Sequence, residues 1–272
     1  VTDNEDGTYS ITVPANTTDG IAISVPTVDD AVFEGQEDFG LTATLSGTTA
    51  SGDSLGTASD LTDSGTAAVL DDETTDDDDT PTLTVDNAGT VTEGNAATFD
   101  VELSNAVDNA TTLTFTINAG DTEAGDLGAP TATIGGSVVT VTANSDGSYS
   151  IPVPANTTDG IAISVPTVDD AVFEGQEDFS LTATLSGTTA SGDSLGTASD
   201  LTDTGTGAVL DDETTADDDT PTLTVSDAGT VTEGNTATFN VALSSAVDNA
   251  TTLTFTINAG DTEAGDLGAP TA

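Results

Sequence analysis

The chain has 272 residues, a length that could hold two ordinary domains, and it contains no Lys, Arg, His, Cys, Met or Trp. Its 49 acidic residues give a formal net charge of −49, which excludes nucleic acid and anionic membranes as partners because no side chain can pair with phosphate. The same absences exclude disulfides, zinc sites of the Cys/His type, Ser-His-Asp triads and Schiff-base lysines.

The sequence repeats itself with a period of 140 residues. Residues 1–132 align with residues 141–272 without a gap, and 14 of the 132 aligned pairs differ. Two acidic segments that end against a proline are typical of linkers between the copies. The predicted organisation is a rear portion of a repeat at 1–73, an acidic linker at 74–80, one complete repeat at 81–213, a second acidic linker at 214–220, and a front portion of the next repeat at 221–272. No targeting segment is recognisable, so we expect targeting to reside elsewhere in the parent protein.

Short alternating runs of apolar and polar residues predict the strands of the complete repeat. Phe99, Val101 and Leu103 alternate with acidic residues and would share one face of a strand. Turn-forming residues separate such runs at intervals of about ten residues, which favours an antiparallel β-sandwich. In chain order, the predicted strands are 83–85, 98–103, 112–118, 138–143, 148–153, 161–165, 179–185 and 205–210. We therefore predict an all-β fold class, with tandem Ig-like sandwiches in an extended array.

Acidic residues concentrate where the predicted strands begin or end. Asp169, Asp170, Glu174 and Glu177 place four carboxylates within nine residues, and no side chain can neutralise them. Their repulsion would open the loop, whereas Ca²⁺ accepts six to eight oxygen ligands and would cross-link it. Composition alone leaves a Ca²⁺ site and a solvated acidic loop both open. We expect Glu123 to lie outside the cluster.

Three segments in this order resemble a Calx-β domain. They are Val91-x-Glu93-Gly94, followed by an alternating run to Leu103; Asp169-Asp170-x-x-Phe173-Glu174-x-x-Glu177-x-Phe179; and Ala208-Val-Leu-Asp211-Asp212-Glu213. Calx-β domains are Ig-like β-sandwiches that bind Ca²⁺ at one tip. In the complete repeat, the resemblance implies the Ca²⁺ ligands Glu93, Asp126, Asp169, Asp170, Glu174, Glu177, Asp211 and Asp212. In the partial repeats, the implied ligands are Asp29, Asp30, Glu34, Glu37, Asp71, Asp72, Glu233 and Asp266.

The tandem array is also similar to the extender regions of giant bacterial RTX adhesins, which are exported by type I secretion. The near-identical acidic repeats that lack Cys carry this similarity. It implies a structural spacer at the bacterial cell surface, stiffened by Ca²⁺ at domain tips and junctions, that supports adhesion or biofilm formation. Its expected partners are calcium ions and neighbouring repeats of the same chain.

Two other functions stay open from the sequence. The split end repeats suggest head-to-tail self-association into an extracellular filament, because unpaired strand edges invite pairing. A glycan- or ice-binding module is the other alternative, with Thr111, Thr112, Thr114 and Thr116 as a candidate threonine row. We do not expect an enzyme, because the carboxylates have neither a basic residue nor a Trp platform beside them.

Overall fold

The structure, a computed structural model, describes residues 1–71, 73–74, 77–123, 125–211, 213–214, 217–263 and 265–272. Strands are the regular elements throughout these ranges and no helix occurs in them, which confirms the predicted all-β fold class. No apolar helix of membrane-spanning length is therefore found in the described residues. The chain divides into two compact units, Val1–Asp30 and Ala31–Ala272.

The first unit contains one short hairpin. Its strands are Thr2–Asp3 (β1) and Tyr9–Ser10 (β2), which pair antiparallel. The Asp6 carboxylate closes the turn, because it accepts hydrogen bonds from the hydroxyl and the backbone N–H of Thr8 at 2.6 and 3.0 Å. The same two hydrogen bonds lower the pKa of Asp6.

The second unit begins with the remaining strands of the rear portion and of the first linker. They are Val32–Phe33 (β3), Glu37–Thr44 (β4), Thr62–Val69 (β5), Glu73–Thr74 (β6) and Asp77–Asp78 (β7). β4 pairs antiparallel with β5, and β6 with β7, so strand pairing crosses the predicted boundary between the rear portion and the linker.

The complete repeat, residues 81–213, is called the central copy below. Its strands are Leu83–Val85 (β8), Gly89–Thr92 (β9), Ala96–Leu103 (β10), Ala106–Val107 (β11), Thr111–Asn118 (β12), Thr131–Ile134 (β13), Ser137–Val139 (β14), Thr142–Ala143 (β15), Tyr149–Val153 (β16), Ile161–Pro166 (β17), Val172–Phe173 (β18), Gln176–Ser186 (β19) and Thr202–Leu210 (β20). The chain continues with Glu213–Thr214 (β21), Asp217–Asp218 (β22), Leu223–Val225 (β23), Val241–Leu243 (β24) and Ala246–Val247 (β25).

Two sheets of the central copy carry most of these strands. A five-stranded sheet has the order β14-β13-β17-β10-β8, and a six-stranded sheet has the order β15-β16-β12-β19-β20-β9. The pair β20–β9 is parallel, and the other pairs within both sheets are antiparallel. The strand predicted at 138–143 is two strands, β14 and β15, because the chain crosses from one sheet to the other at Thr140 and Val141.

Both sheets contribute to one hydrophobic core. The inward residues of β10 and β17 belong to the same buried cluster as those of β12 and β19. Phe99 of the five-stranded sheet meets Phe179 of the six-stranded sheet edge to face, with ring centroids 5.7 Å apart. Alternation along each strand therefore places one face of each sheet in a shared core, as the sequence pattern predicts.

Apolar residues of the partial repeats are exposed where their equivalents in the central copy are buried. Phe239 is 62% exposed and its equivalent Phe99 is 0% exposed; Ile23 is 51% exposed and Ile163 is 0% exposed. The topology explains the difference. In the central copy, β10 pairs with β17, and β12 pairs with β16 and β19. Each sheet thus interleaves strands from the front and rear of the repeat, and neither portion alone can bury its apolar face.

Gly205 tests how tightly this core is packed. A Cβ atom at Gly205 would lie 2.6 Å from the carbonyl oxygen of Asp86 and 2.8 Å from a methyl of Val85. We expect Gly205→Ala to lower the free energy of unfolding of the full chain by about 1–3 kcal/mol, because a backbone atom must move. Chemical denaturation would measure the change.

Gly207→Ala is the matched control, on the same strand and two residues away. Its Cβ atom would meet the ring edge of Phe179 at 2.9 Å, and a ring can tilt. The rear portion already carries Ala67 at the equivalent position. We therefore expect a smaller loss than for Gly205→Ala, and an equal or larger loss would contradict the packing argument.

Candidate metal centre

Six acidic side chains from strand ends and one loop of the central copy meet at one place. They form two groups, and within each group one carboxylate oxygen per residue lies within 4.8 Å of the others. Glu174 belongs to both groups, so a single carboxylate links them. The first group is Glu123, Asp126, Glu174 and Glu177, and the second is Glu93, Glu174 and Asp211. These six residues are called the acidic cluster below.

Glu93 and Asp211 are neighbours because β9 and β20 run parallel and end together. Thr92 lies opposite Leu210, and the backbone N–H of Glu93 donates to the carbonyl of Leu210 at 3.0 Å. Each acidic residue is the first one after its strand. The shared end of a parallel strand pair therefore places two carboxylates side by side.

Glu174 lies in a turn that Asp211 fixes. Asp211 Oδ2 accepts hydrogen bonds from the backbone N–H groups of Glu174 and Gly175, both at 2.9 Å. Gly175 has a φ of +84°, a conformation that residues with a Cβ atom rarely adopt. The turn connects β18 to β19, and it presents Glu174 to both groups of the cluster.

The loop between β12 and β13 brings Glu123 and Asp126 to the cluster. The backbone N–H of Asp121 donates to the carbonyl of Asp178 at 3.0 Å, which docks the loop on β19. Gly120 permits this approach, because its φ is +64° and a Cβ atom would lie 2.0 Å from the Asp178 carbonyl oxygen. The Asp126 carboxylate accepts a hydrogen bond from the backbone N–H of Glu123.

Two buried carboxylate oxygens in the cluster have no hydrogen-bond partner among the described residues. They are Oε2 of Glu93 and Oδ1 of Asp211, and their residues are 6% and 4% exposed. Burying an ionised oxygen without a partner is costly, and buried charges in proteins are normally paired or coordinate a metal. These two atoms therefore lie where a cation would be stabilising.

Burial and neighbouring carboxylates raise the pKa values of three glutamates of the cluster. Burial, followed by the charge of Asp211, raises the pKa of Glu93 to about 7. Burial and the charge of Asp126 raise the pKa of Glu174 to about 7. Burial and the hydrogen bond with Glu123 raise the pKa of Glu177 to about 8. At neutral pH the metal-free cluster therefore retains protons that a bound cation would displace.

The structure brings together five residues that the Calx-β resemblance implies for the complete repeat: Glu93, Asp126, Glu174, Glu177 and Asp211. Asp169 and Asp170 lie near Glu93, and their charges raise its pKa, after the larger effects of burial and the charge of Asp211.

The Asp170 carboxylate accepts the backbone N–H of Val172 at 2.8 Å, so it stabilises the start of β18. Asp212 lies outside the described residues.

In the rear portion, Asp71 repeats the role of Asp211. Its Oδ2 accepts the backbone N–H groups of Glu34 and Gly35 at 2.8 and 2.7 Å. Glu37, Asp29 and Asp30 are exposed. Asp72 lies outside the described residues.

In the front portion, Asp266 Oδ2 accepts the backbone N–H of Glu263 at 2.8 Å, and Glu233 is exposed. Among the described residues, acidic groups of this compactness occur in the central copy alone. Each partial repeat holds only part of the residue set, because the cluster combines residues from the front and the rear of a repeat.

The expectation that Glu123 lies outside the cluster is wrong. Its carboxylate lies within the group of Asp126, Glu174 and Glu177, and it raises the pKa of Glu177. The loop docks on the start of β19, which carries Glu177 as its second residue. The sequence signal was the spacing of three residues between Glu123 and Asp126, which allows a side chain to accept the backbone N–H of the earlier residue.

The threonine row of β12 lies in a wider hydroxyl face. Thr111 is buried, whereas Thr112 and Thr116 are exposed. Across the neighbouring strands, hydroxyls pair with each other: Thr182 with Thr204 at 2.8 Å, and Thr184 with Thr202 at 2.9 Å. These pairs stabilise the β19–β20 contact from the outer face of the sheet. Ice or glycan binding by this face stays a prediction.

No family model matches this sequence, and no curated protein matches it. The donor set of the acidic cluster indicates what it could hold. It offers carboxylate oxygens, and the chain has no His or Cys that could add nitrogen or sulfur. Carboxylate oxygens suit hard cations such as Ca²⁺ and Mg²⁺. The buried acidic residues could therefore bind a metal ion.

Proposed function

We propose that this chain is a structural extender segment of a large bacterial cell-surface protein, and that Ca²⁺ stiffens its complete repeats. The observation that carries the proposal is the acidic cluster. Its two groups share Glu174, and two of its buried oxygens find no hydrogen-bond partner in the part of the chain that the structure describes. The resemblance to Calx-β domains and to RTX adhesin extenders supports it.

Two cations per complete repeat fit this arrangement. Glu174 would help to hold one ion with Glu93 and Asp211, and another with Glu123, Asp126 and Glu177. Bound ions would then connect the ends of β9, β18, β19 and β20 with the loop before β13. The function of the metal is therefore structural: it joins chain segments that repel each other without it.

Ca²⁺ suits the cluster better than Mg²⁺. Ca²⁺ accepts six to eight oxygens in flexible geometry, whereas Mg²⁺ demands a near-ideal octahedron and retains several waters. Six carboxylates from separate strand ends and loops supply many oxygens in irregular positions. A surface location with abundant Ca²⁺ would keep the sites filled.

The near-identity of the repeats favours a spacer over a ligand-binding module. Only 14 of 132 aligned positions differ between copies. A spacer gains length from every faithful copy, whereas one binding site would serve without copies. The absence of Trp and the presence of only two Tyr also leave few aromatic platforms for a sugar.

Glu174→Gln tests the metal assignment by the sign of its effect. The substitution preserves size and removes one charged ligand shared by both groups. In excess Ca²⁺, we expect it to weaken Ca²⁺ binding and to lower the free energy of unfolding of the full chain by about 1–3 kcal/mol. In metal-free protein, it removes repulsion, so the same variant should be unchanged or more stable than wild type.

Glu102→Gln is the matched control for this experiment. Glu102 is exposed on β10, and the front portion carries Ala242 at the equivalent position. Glu102→Gln should leave the free energy of unfolding nearly unchanged with or without Ca²⁺. Titration calorimetry with Ca²⁺ and Mg²⁺, followed by denaturation of the same samples, measures both properties. Stabilisation by Glu174→Gln in excess Ca²⁺ would contradict the proposal, as would a wild-type chain that binds no Ca²⁺.

A further inference from the structure

The chain makes the same contact between successive repeats twice. β3 pairs in parallel with β11, with Val32 opposite Ala106 and Phe33 opposite Val107. β18 pairs in parallel with β25, with Val172 opposite Ala246 and Phe173 opposite Val247. All four residues of the second pair are displaced by one period of 140 residues from the first. The contact therefore belongs to the repeat itself.

Phe33 is buried in the following repeat. It is 4% exposed, and it belongs to the same buried apolar cluster as Val107, Leu195 and Leu201 of the central copy. The core of the central copy thus includes an aromatic ring that comes from the preceding repeat. Burial of a Phe side chain removes a large apolar area from water, so this contact stabilises the junction even though the strand is only two residues long.

Polar contacts fix the register around this ring. The backbone N–H of Asp108 donates to the carbonyl of Phe33 at 3.2 Å, and the Ser191 hydroxyl donates to the carbonyl of Glu34 at 3.0 Å. Asp193 Oδ2 accepts the backbone N–H of Gln36 at 2.9 Å. Gly35 allows the close approach, because its φ is +73° and a Cβ atom would lie 2.5 Å from Asp193 Oδ2.

The receiving surface is held in place by its own repeat. The carbonyl of Val107 accepts the backbone N–H of Asn156 at 2.7 Å. The Asp108 carboxylate accepts the backbone N–H of Ala190 at 2.9 Å, and Thr189 Oγ1 accepts the backbone N–H of Asp193 at 3.0 Å. The strand and the loop that receive Phe33 are therefore connected to each other independently of the incoming repeat.

We propose that Phe33 and Phe173 are docking residues that lock each repeat to the next copy of the same repeat in a single register. This inference deepens the proposed extender function and rests on it. Phe173 is less buried than Phe33. Phe173 lies opposite Val247 of its receiving strand β25.

The docking turn is also the turn of the acidic cluster. Phe173 immediately precedes Glu174, and Asp211 holds the backbone of Glu174 and Gly175. Likewise, Phe33 immediately precedes Glu34, and Asp71 holds the backbone of Glu34 and Gly35. A cation bound to Glu174 and Asp211 would therefore stabilise the conformation in which the neighbouring Phe docks, which links metal binding to the junction between repeats.

Amide hydrogen exchange of the full chain tests the junction directly. In Phe33→Ser, we expect the Asp108 and Gln36 amides to lose at least about tenfold in protection, because their acceptors lie across the junction. The Val101 amide, in the core of the central copy, should keep its protection and so report an intact fold. Phe173→Ser is the matched control: it should affect the Asp248 amide and leave Asp108 unchanged.

Gly35→Ala gives a second variant that retains the ring. It should also deprotect Asp108 and Gln36, because the added Cβ atom collides with Asp193. Unchanged Asp108 protection in both Phe33→Ser and Gly35→Ala would overturn the docking proposal. Calorimetric Ca²⁺ titration of the same samples separates the two proposals. If the chain binds no Ca²⁺ but Phe33→Ser still deprotects Asp108, the docking proposal stands and the proposed metal function is contradicted.

Discussion

Removing divalent cations is expected to lower the melting temperature of this protein by more than about ten degrees at moderate salt. The chain has a formal charge of −49 and no basic side chain, so cations bound as proposed would be its strongest source of neutralisation. The effect should concentrate in the central copy, where the described residues hold two compact acidic groups.

The size of this effect follows from the number of sites. An ion that binds only the folded state at a hundred times its Kd stabilises by about 2.7 kcal/mol, so the two proposed ions would contribute about 5 kcal/mol. For domains near this size, 1 kcal/mol shifts Tm by about 2–8 °C. Thermal melts of the full chain in Ca²⁺ and in EDTA would measure the shift. Small-angle scattering of the same samples should show a wider range of shapes without Ca²⁺.

Monovalent salt should restore only part of the lost stability. The Debye length is about 8 Å at physiological salt, and the carboxylate oxygens within each acidic group lie within 4.8 Å of one another. Mobile ions therefore screen the exposed charges of the chain better than the contacts inside the cluster, and they do not connect strands. Identical melting curves in Ca²⁺ and EDTA would rule out a metal-stabilised fold.

The core strands could be predicted from sequence because their signal is local. Phe99, Val101 and Leu103 alternate within one strand, and the structure places that alternation in the core. β9 and β13 escaped prediction for a physical reason. Gly89–Thr92 and Thr131–Ile134 are only four residues long, and their pairing with β20 and β17 depends on contacts across the fold.

The acidic cluster was predictable in part, because Glu174 and Glu177 lie in one contiguous motif. Glu93 and Asp211 meet through the parallel pairing of β9 and β20, which no local pattern shows. Glu123 was missed because its place depends on Gly120 docking against the Asp178 carbonyl. The docking of Phe33 was missed for a similar reason: a buried ring whose receiving surface lies in another repeat has the same sequence signal as an ordinary core residue.

Opposite pH dependences are expected for the metal-free and the Ca²⁺-loaded protein. Burial and neighbouring charge raise the pKa of Glu93 and Glu174 from 4.5 to about 7, and that of Glu177 to about 8. Between these limits the folded chain retains protons that the unfolded chain has lost. The protonated form of these glutamates favours the folded chain. This contribution to stability is fully present below about pH 4.5 and is lost as the pH rises through 7 to 8.

Metal-free protein should therefore have a lower urea midpoint at about pH 8.5 than at about pH 5.5. Carboxylates that ionise near ordinary values are already charged in both states across this range, so they add little to the slope. With saturating Ca²⁺ the cation replaces the protons, and its affinity increases as the ligands ionise. The loaded protein should then be equally stable or more stable at the higher pH.

Urea denaturation at both pH values measures these slopes, with metal removed by dialysis because EDTA chelates poorly in acid. Glu177→Gln should reduce the slope of the metal-free protein, because an amide does not titrate and the group with the highest pKa in the cluster is lost. Glu102→Gln, an exposed position outside the cluster, should leave the slope unchanged. Equal stability of the metal-free protein at both pH values would show that the cluster ionises without cost. If the Ca²⁺-loaded protein loses stability with pH as steeply as the metal-free protein, Ca²⁺ does not bind these carboxylates.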